Sequence, residues 1–354
     1  MIEQGSGNLL SADVDALVNT VNTLGVMGKG IALQFKRAFP ANFRAYREAC
    51  TRGDVRLGQV RAFDTGAIGP RRFILNFPTK MHWRNDSRLD DVATGLDSLV
   101  DTVRELGVTS VAIPALGCGN GGLAWGDVRP LIERACARMA GVRAIVYPPE
   151  GAPPPAEMPN ETPRPPLSEA RALLLAAISV YLGRARLQEV RDGISELEIQ
   201  KLAYFLQVLG APLRLTFVRG TYGPYAPALS RTLDALEGHN LTGLGDRSAR
   251  VTEFAPINPI PASADAAERL VAEHPAELQR LASLLELVEG FETPYSLELL
   301  ATVHFASGHE PTTADPGALA ERVASWSLRK ARMFTAKHVE LASHRLAERR
   351  LLPA

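Results

Sequence analysis

The sequence predicts an α/β domain, with helices on both faces of a mixed sheet, followed by a mainly α-helical domain. Three features predict it. Short apolar runs alternate with amphipathic stretches over residues 1–150. Residues 151–166 hold seven prolines in sixteen positions. Beyond them the apolar residues recur at helical spacing. At 354 residues the chain is long enough for two such domains.

In the first part, 14–19, 60–63, 72–77, 110–114 and 144–147 are short apolar runs and read as strands. From Leu89 to Leu106 apolar residues fall at 89, 92, 96, 99, 100, 103 and 106, one helical face, and Gly107 is a natural stop. Asp127 is placed to cap a helix running to about Met139. Proline locks φ and lacks an amide hydrogen, so 151–166 reads as a semi-rigid linker and the domain boundary is expected there. In the second part, 167–354, Ile199, Leu202, Ala203, Leu206 and Leu209 share one helical face. Residues 266–288 and 319–346 also read as helices, and 213–219 is the single expected strand.

Hydrophobic residues make up 46% and charged residues 22%, a globular balance, and no apolar run reaches the length of a membrane span. Met1-Ile2-Glu3-Gln4-Gly5 lacks the basic-then-apolar order of a secretory signal. Cys50, Cys118 and Cys136 are too few and too scattered for a disulfide framework or a zinc site. No metal and no cofactor is expected, and a reducing cytoplasm fits best. The net charge is zero, so overall charge names no partner.

Two glycine-rich segments follow strands. Gly25-Val26-Met27-Gly28-Lys29-Gly30 leads into a helix that ends near Phe39-Pro40, and Gly117-Cys118-Gly119-Asn120-Gly121-Gly122 follows the 110–115 run. In an open α/β sheet, ligands bind beyond the carboxyl ends of the strands. Glycine lets backbone amides approach an anion closely, and a helix N-terminus adds partial positive charge. One such loop can be a turn and nothing more; two suit a diphosphate held between them. A branched side chain at Gly119 is expected to block that approach and to disfavour a positive φ. The common nucleotide motifs fail on spacing: no Gly-Lys-Ser/Thr closes a P-loop, and no Gly-x-Gly-x-x-Gly opens a helix with an acidic residue about twenty positions on.

Gly7-Asn8-Leu9-Leu10, the run Val14 to Asn22, Gly28-Lys29-Gly30-Ile31-Ala32 and the run Ile113 to Gly119 resemble the macrodomain pattern in order and spacing, over nearly all of residues 1–150. Macrodomains bind ADP-ribose. The resemblance implies that Asn8 meets adenine, that Asn22 meets the distal ribose, and that Gly28, Lys29, Gly30 and Ile31 wrap the diphosphate together with Gly117, Cys118, Gly119, Asn120 and Gly121. Leu9, Thr20, Val21, Ala32 and Thr79 complete the implied ADP-ribose-binding set. Many macrodomains carry Asp where Asn8 stands; an amide can still bond the adenine edge. Tyr147 reads equally as an adenine-stacking ring or a core residue.

Phe77-Pro78-Thr79-Lys80-Met81-His82-Trp83-Arg84 resembles the corresponding stretch of the glycohydrolases related to human terminal ADP-ribose glycohydrolase, which implies that Lys80 is catalytic. Those relatives also place an Asp after the Gly-Cys-Gly element. Here 120–123 reads Asn-Gly-Gly-Leu, with no carboxylate, so their two-residue mechanism does not carry over intact. The whole combination most resembles the DNA ADP-ribosyl glycohydrolase antitoxins of the DarT–DarG type. That resemblance implies hydrolysis of the N-glycosidic bond between ADP-ribose and thymine in single-stranded DNA. It also implies two partners, the ADP-ribosylated single-stranded DNA and the cognate transferase toxin.

Such cleavage develops positive charge on the distal ribose. A neutral lysine can attack C1, and a protonated one can donate to the leaving base. Desolvation, or a neighbouring cation such as Arg84, is expected to bring the Lys80 pKa down. His82 is a second candidate, against a capping or surface role. Lys29 suits phosphate or solvent. Cys118 has no evident base and reads as a small packed side chain. Trp83 and Trp125 fit either a cleft mouth or the core.

In the second part, 198–205 and Gly220-Thr221-Tyr222-Gly223-Pro224-Tyr225 resemble a helical neutralising module paired with many bacterial toxins. Residues 251–321 hold twelve acidic side chains against two basic ones, a net charge of −10, and 322–350 then carry +6. The acidic segment reads either as a solvated face or as a surface for a basic, DNA-binding toxin. Three functions compete: a hydrolase acting on ADP-ribosylated DNA, with ADP-ribosylated protein as the other substrate; a non-enzymatic ADP-ribose reader; and a toxin-binding protein acting through 167–354. Lys80 separates hydrolase from reader.

Overall fold

The computed structural model describes residues 1–188, 191–248, 256–308 and 316–352. They fall into two compact units, Met1–Pro163 with Gly245–Thr252, and Arg164–Leu244 with Glu253–Ala354. No described helix is long and apolar enough to cross a membrane.

The first unit carries a six-stranded sheet in the order β1 (Ile2–Gln4), β6 (Arg143–Val146), β5 (Ser110–Ile113), β2 (Ala16–Asn22), β4 (Phe73–Lys80), β3 (Arg61–Asp64). Neighbours are parallel except β3, which runs antiparallel to β4. Four helices flank it: α1 (Gly30–Ala38), α2 (Pro40–Thr51), α3 (Leu89–Glu105) and α4 (Trp125–Ala137). Strand residues point alternately to the two faces. Val18, Leu75 and Phe77 pack with Leu96, Leu99 and Ile132 of α3 and α4, while Leu17 and Ile74 between them pack with Phe35 and Ala38 of α1. Gly95 lets α3 approach the sheet, because a Cβ there would overlap the Phe77 ring.

The five strands expected in residues 1–150 all form. β1 is not among the expected strands, because its three residues carry no alternating or apolar pattern. α4 starts two residues before Asp127, which lies in its first turn rather than at the cap, where a carboxylate still suits the helix dipole. Within the first unit, 151–163 is irregular apart from one 3-10 turn at Pro155–Glu157, and it is bonded back to that unit. Glu157 accepts from Asn8 Nδ2 at 2.8 Å, and Glu161 donates its amide to the Arg37 carbonyl at 2.9 Å.

The second unit holds α5 (Glu169–Gln188), α6 (Glu196–Val208), α7 (Pro227–Leu236), α8 (Pro261–Ala272), α9 (Pro275–Val288), α10 (Pro294–Ser307), α11 (Pro316–Trp326), α12 (Leu328–Met333) and α13 (Ala336–Glu348). Two ribbons join them, β7 (Val218–Gly220) with β8 (Gly223–Tyr225), and β9 (Leu241–Thr242) with β10 (Asn258–Pro259). The expected 266–288 helix is two helices, because Pro275 starts a new one. The expected 319–346 helix is three, cut where Ser327 and Thr335 cap fresh starts. The expected strand at 213–219 is mostly irregular. Arg214 sits at φ +54, and the Gln207 side chain bonds both the amide and carbonyl of Leu215 at 2.7 and 2.8 Å. That local satisfaction leaves no call for a partner strand, and pairing starts only at Val218.

Candidate active site

The strand order sets where a ligand goes. From β2 the chain moves to β4 on one side and reaches β5 and β6 on the other, so a crevice opens beyond the carboxyl ends of β2, β4 and β5. A cleft of about 1360 Å³ lies there, larger than the pocket of a small ligand. Leu9, Thr20, Val21 and Asn22, the run Gly28–Ala32, Thr79 with Lys80, and the run Gly117–Gly121 all line it.

Lys80 reaches the cleft through a local irregularity. β2 and β4 pair with Val21 opposite Pro78 and then Asn22 opposite Lys80, leaving Thr79 as an extra residue. Strict alternation sends neighbouring side chains to opposite faces; the bulge breaks it, so buried Thr79 and half-buried Lys80 both line the cleft.

The two glycine loops meet at Asn120. Lys80 Nζ donates to the Asn120 carbonyl at 2.6 Å, and a Cβ on Gly30 would stand 3.0 Å from Asn120 Nδ2. Gly30 sits at φ +63, a conformation that only glycine adopts cheaply. Gly119 differs from expectation: its φ is not positive and a Cβ there would meet nothing within 4 Å. Its value lies in open cleft space rather than in backbone freedom. Gly121 is the constrained position, where a Cβ would collide with the Gly117 carbonyl oxygen and Ser87 Oγ.

Burial brings the Lys80 pKa below the usual lysine range, and the Asp86 carboxylate partly opposes this. Arg84, expected to supply the lowering, instead lays its guanidinium over the Trp83 ring at 4.5 Å. Trp83 and Arg84 line the cleft, whereas Trp125, the first residue of α4, packs on the core. His82 Nδ1 accepts from the Arg84 amide at 3.1 Å, a turn contact, and its ring stacks on Trp83. Burial raises the Cys118 thiol pKa, and Cys118 packs against the core beneath the loop, so it stays a protonated side chain. Lys29 precedes α1 and lines the cleft without capping the helix.

The asparagines divide their work. Asn19 Nδ2 donates to Asn76 Oδ1 at 3.1 Å, and Asn76 Nδ2 donates to Asn42 at 2.7 Å, a buried network behind the cleft. Asn22 Oδ1 accepts from the Leu24 and Val26 amides and so shapes the entry to the first glycine loop. Asn8 lies outside the cleft lining. Its Oδ1 caps the Leu9–Ser11 turn at the Leu10 amide, 2.9 Å, and its Nδ2 is tied to Glu157. Tyr147 is half-buried, lies against Gly5 and forms part of the cleft wall.

The profile described as Macro domain matches residues 18–132. Over 343 residues, 97% of this chain and 92% of the relative, the sequence is 45% identical to a DNA ADP-ribosyl glycohydrolase of Thermus aquaticus. The chain belongs to the DNA ADP-ribosyl glycohydrolase family. Over 148 residues, 38% of each protein, it is also 32% identical to a DNA ADP-ribosyl transferase-DNA ADP-ribosyl glycohydrolase fusion protein of Thermosipho africanus. The solved macrodomain of Mycobacterium tuberculosis DarG is 53% identical, covering 42% of this chain and 99% of that one, with a TM-score of 0.42.

Three residues of this glycohydrolase family member escaped the sequence reading. Asp86 supplies, from the loop after β4, a carboxylate beside the second glycine loop: a Cβ on Gly122 would lie 3.5 Å from Asp86 Oδ1. Ser87 is buried under that loop, its amide donating to the Gly121 carbonyl at 2.8 Å. Asp246 is the third, and it lies almost a hundred residues past the expected boundary. No spacing rule links any of the three to a glycine motif.

Proposed function

We propose that the cleft binds ADP-ribose attached to a base of single-stranded DNA and hydrolyses the N-glycosidic bond at the distal ribose. The observation that carries this is Lys80, turned into the cleft by the Thr79 bulge and seated against the second glycine loop. In the reaction the bond from C1 to the base nitrogen breaks, water supplies the hydroxyl at C1, and the base takes up a proton. The glycine loops hold the diphosphate and Asn22 orients the ribose side of the cleft. The name of the 45%-identical relative supports DNA as the acceptor. The test offers the purified chain labelled ADP-ribose on single-stranded DNA and on protein. Loss of label from DNA and not from protein is expected. Loss from protein alone makes it a protein hydrolase, and loss from neither makes it a reader.

We infer further that the second unit binds the transferase toxin. The fused transferase and glycohydrolase of the Thermosipho relative support such a pairing. The acidic segment contributes less surface charge than its composition suggests. Glu277, Glu292 and Glu298 are buried, and Glu298 is paired with Arg329 at 2.6 Å and Lys330 at 2.7 Å. Glu286 pairs with Arg349 at 2.6 Å. Glu253, Glu310 and Asp315 lie outside the described residues. Asp265, Glu273, Glu289 and Glu321 are exposed and remain available to a basic partner. Tyr222 and Tyr225, at 38% and 37% exposure beside the β7–β8 turn, are the apolar anchors. Reversing Asp265, Glu273, Glu289 and Glu321 to Lys is expected to slow toxin association several-fold at low salt and less at high salt, since the Debye length is about 8 Å at physiological ionic strength. Wild-type association of this variant at low salt would reduce the segment to a solvated face.

A further inference from the structure

The segment Gly245–Ser248 comes from far along the chain, yet it is part of the first unit. We infer that Asp246 is a positioning residue for the first glycine loop, supplied to the ADP-ribose cleft from outside residues 1–163. The inference rests on the ADP-ribose reading given above.

α1 needs such a residue. It begins at Gly30, and its N-cap Lys29 makes no side-chain cap bond. The first amides of a helix have no partner within it. Here the Gly30 amide donates to the Asp246 carbonyl at 2.7 Å. One turn along α1, Gln34 Nε2 donates to Asp246 Oδ2 at 2.6 Å. Further on, Arg37 Nη1 donates to the Gly245 carbonyl at 2.6 Å. Positions 30, 34 and 37 share one helix face, so a single short segment ties down the whole helix from its first residue.

The segment is built to hold that shape. The carboxylate's other oxygen accepts from the Ser248 amide at 2.9 Å, and Arg247 turns the chain at φ +62. Gly245 lies against Pro155 and Met158, so the proline-rich stretch backs it. Asp246, Gln34 and Arg37 are all buried, and Asp246 and Ser248 line the same cleft as Gly28–Ile31. A buried carboxylate is costly unless hydrogen-bonded, and this one has a bond on each oxygen.

Two consequences follow for the ligand. With the Gly30 amide already bonded, the diphosphate is left the amides that come after it. With α1 fixed at three points, the loop is ordered before ADP-ribose arrives, so less freedom is lost on binding.

The test uses the full-length chain. ADP-ribose affinity is measured by calorimetry for the wild type, Asp246→Ala, Asp246→Asn and Gln34→Leu, with a melting curve for each. Asp246→Ala and Gln34→Leu are each expected to weaken binding about tenfold, the scale of one buried hydrogen bond, and to raise KM for modified DNA by more than they lower kcat. Asp246→Asn keeps an acceptor for Ser248 and can turn its amide to the Gln34 oxygen, so it is expected to restore most of the affinity. Gln34→Leu attacks the contact from α1, so a defect confined to the downstream segment does not explain both losses. Wild-type affinity in Asp246→Ala and Gln34→Leu overturns the inference. Equal losses in Asp246→Asn and Asp246→Ala overturn it too. A wild type that fails to bind ADP-ribose overturns the reading of the cleft itself, and the inference with it.

Discussion

Lys80→Ala is expected to lower turnover of ADP-ribosylated single-stranded DNA by about 10²–10⁴-fold, the range of a positioned proton donor. ADP-ribose affinity is expected to stay within about tenfold, or about 1.4 kcal/mol, because in the proposed binding mode the glycine loops supply the diphosphate contacts. The Asn120 carbonyl loses its partner at 2.6 Å in this variant but keeps access to water at the cleft, so the loop survives. The pH profile then assigns the role. Burial has brought the Lys80 pKa down, so the ammonium gives way to the amine at a lower pH than for an ordinary lysine. If the ammonium donates to the leaving base, the rate falls as pH rises through that lowered pKa. If the amine attacks C1, the rate rises over the same interval. Lys80→Arg sharpens the choice, since a guanidinium keeps its charge and cannot become the nucleophile. Near wild-type turnover by Lys80→Ala would remove Lys80 from the chemistry.

Gly121→Val is expected to cost more than any other single change in the loops. The new side chain collides with the Gly117 carbonyl and Ser87 Oγ, both inside the turn, so the loop has to move. ADP-ribose binding is expected to fall by about a hundredfold, near 2.7 kcal/mol, and the melting temperature is expected to drop with it. Gly119→Val is the control. A Cβ there meets no protein atom within 4 Å, so the variant is expected to take up cleft space and weaken binding while leaving the melting temperature near wild type. If the two variants behave alike in both measurements, the second loop is not the braced cradle described above.

What was legible in the sequence was whatever depends on neighbours along the chain. β4 and β5 are mostly apolar runs, the two glycine loops sit at strand ends, and the α3 stripe has a clean period, so each could be located from local pattern. The second unit lost detail where a local signal competed with the period. Pro275 and the caps at Ser327 and Thr335 restart helices inside stripes that read as continuous. The positive φ of Arg214 and the Gln207 side-chain bonds to the Leu215 backbone replace an expected strand.

In the site, the illegible part is what only folding brings together. Asp86 and Ser87 follow a tryptophan-arginine turn and meet Gly122 and Gly121 through space. Asp246 reaches Gly30 from more than two hundred residues away in the chain, and no glycine motif announces it. The charge count of the acidic segment overstates its surface charge for the same reason. Composition cannot tell an exposed carboxylate such as Glu273 from Glu298, which is buried against Lys330.

The central claim is that this cleft cuts at the distal ribose and leaves the base whole. Mass spectrometry of a single-stranded oligonucleotide carrying one ADP-ribose, before and after incubation with the full-length chain, tests it most directly. The expected product is the unmodified oligonucleotide together with free ADP-ribose. An oligonucleotide still carrying a phosphoribosyl stub would mean cleavage of the diphosphate, and an unchanged oligonucleotide would mean binding without chemistry; either result contradicts the account.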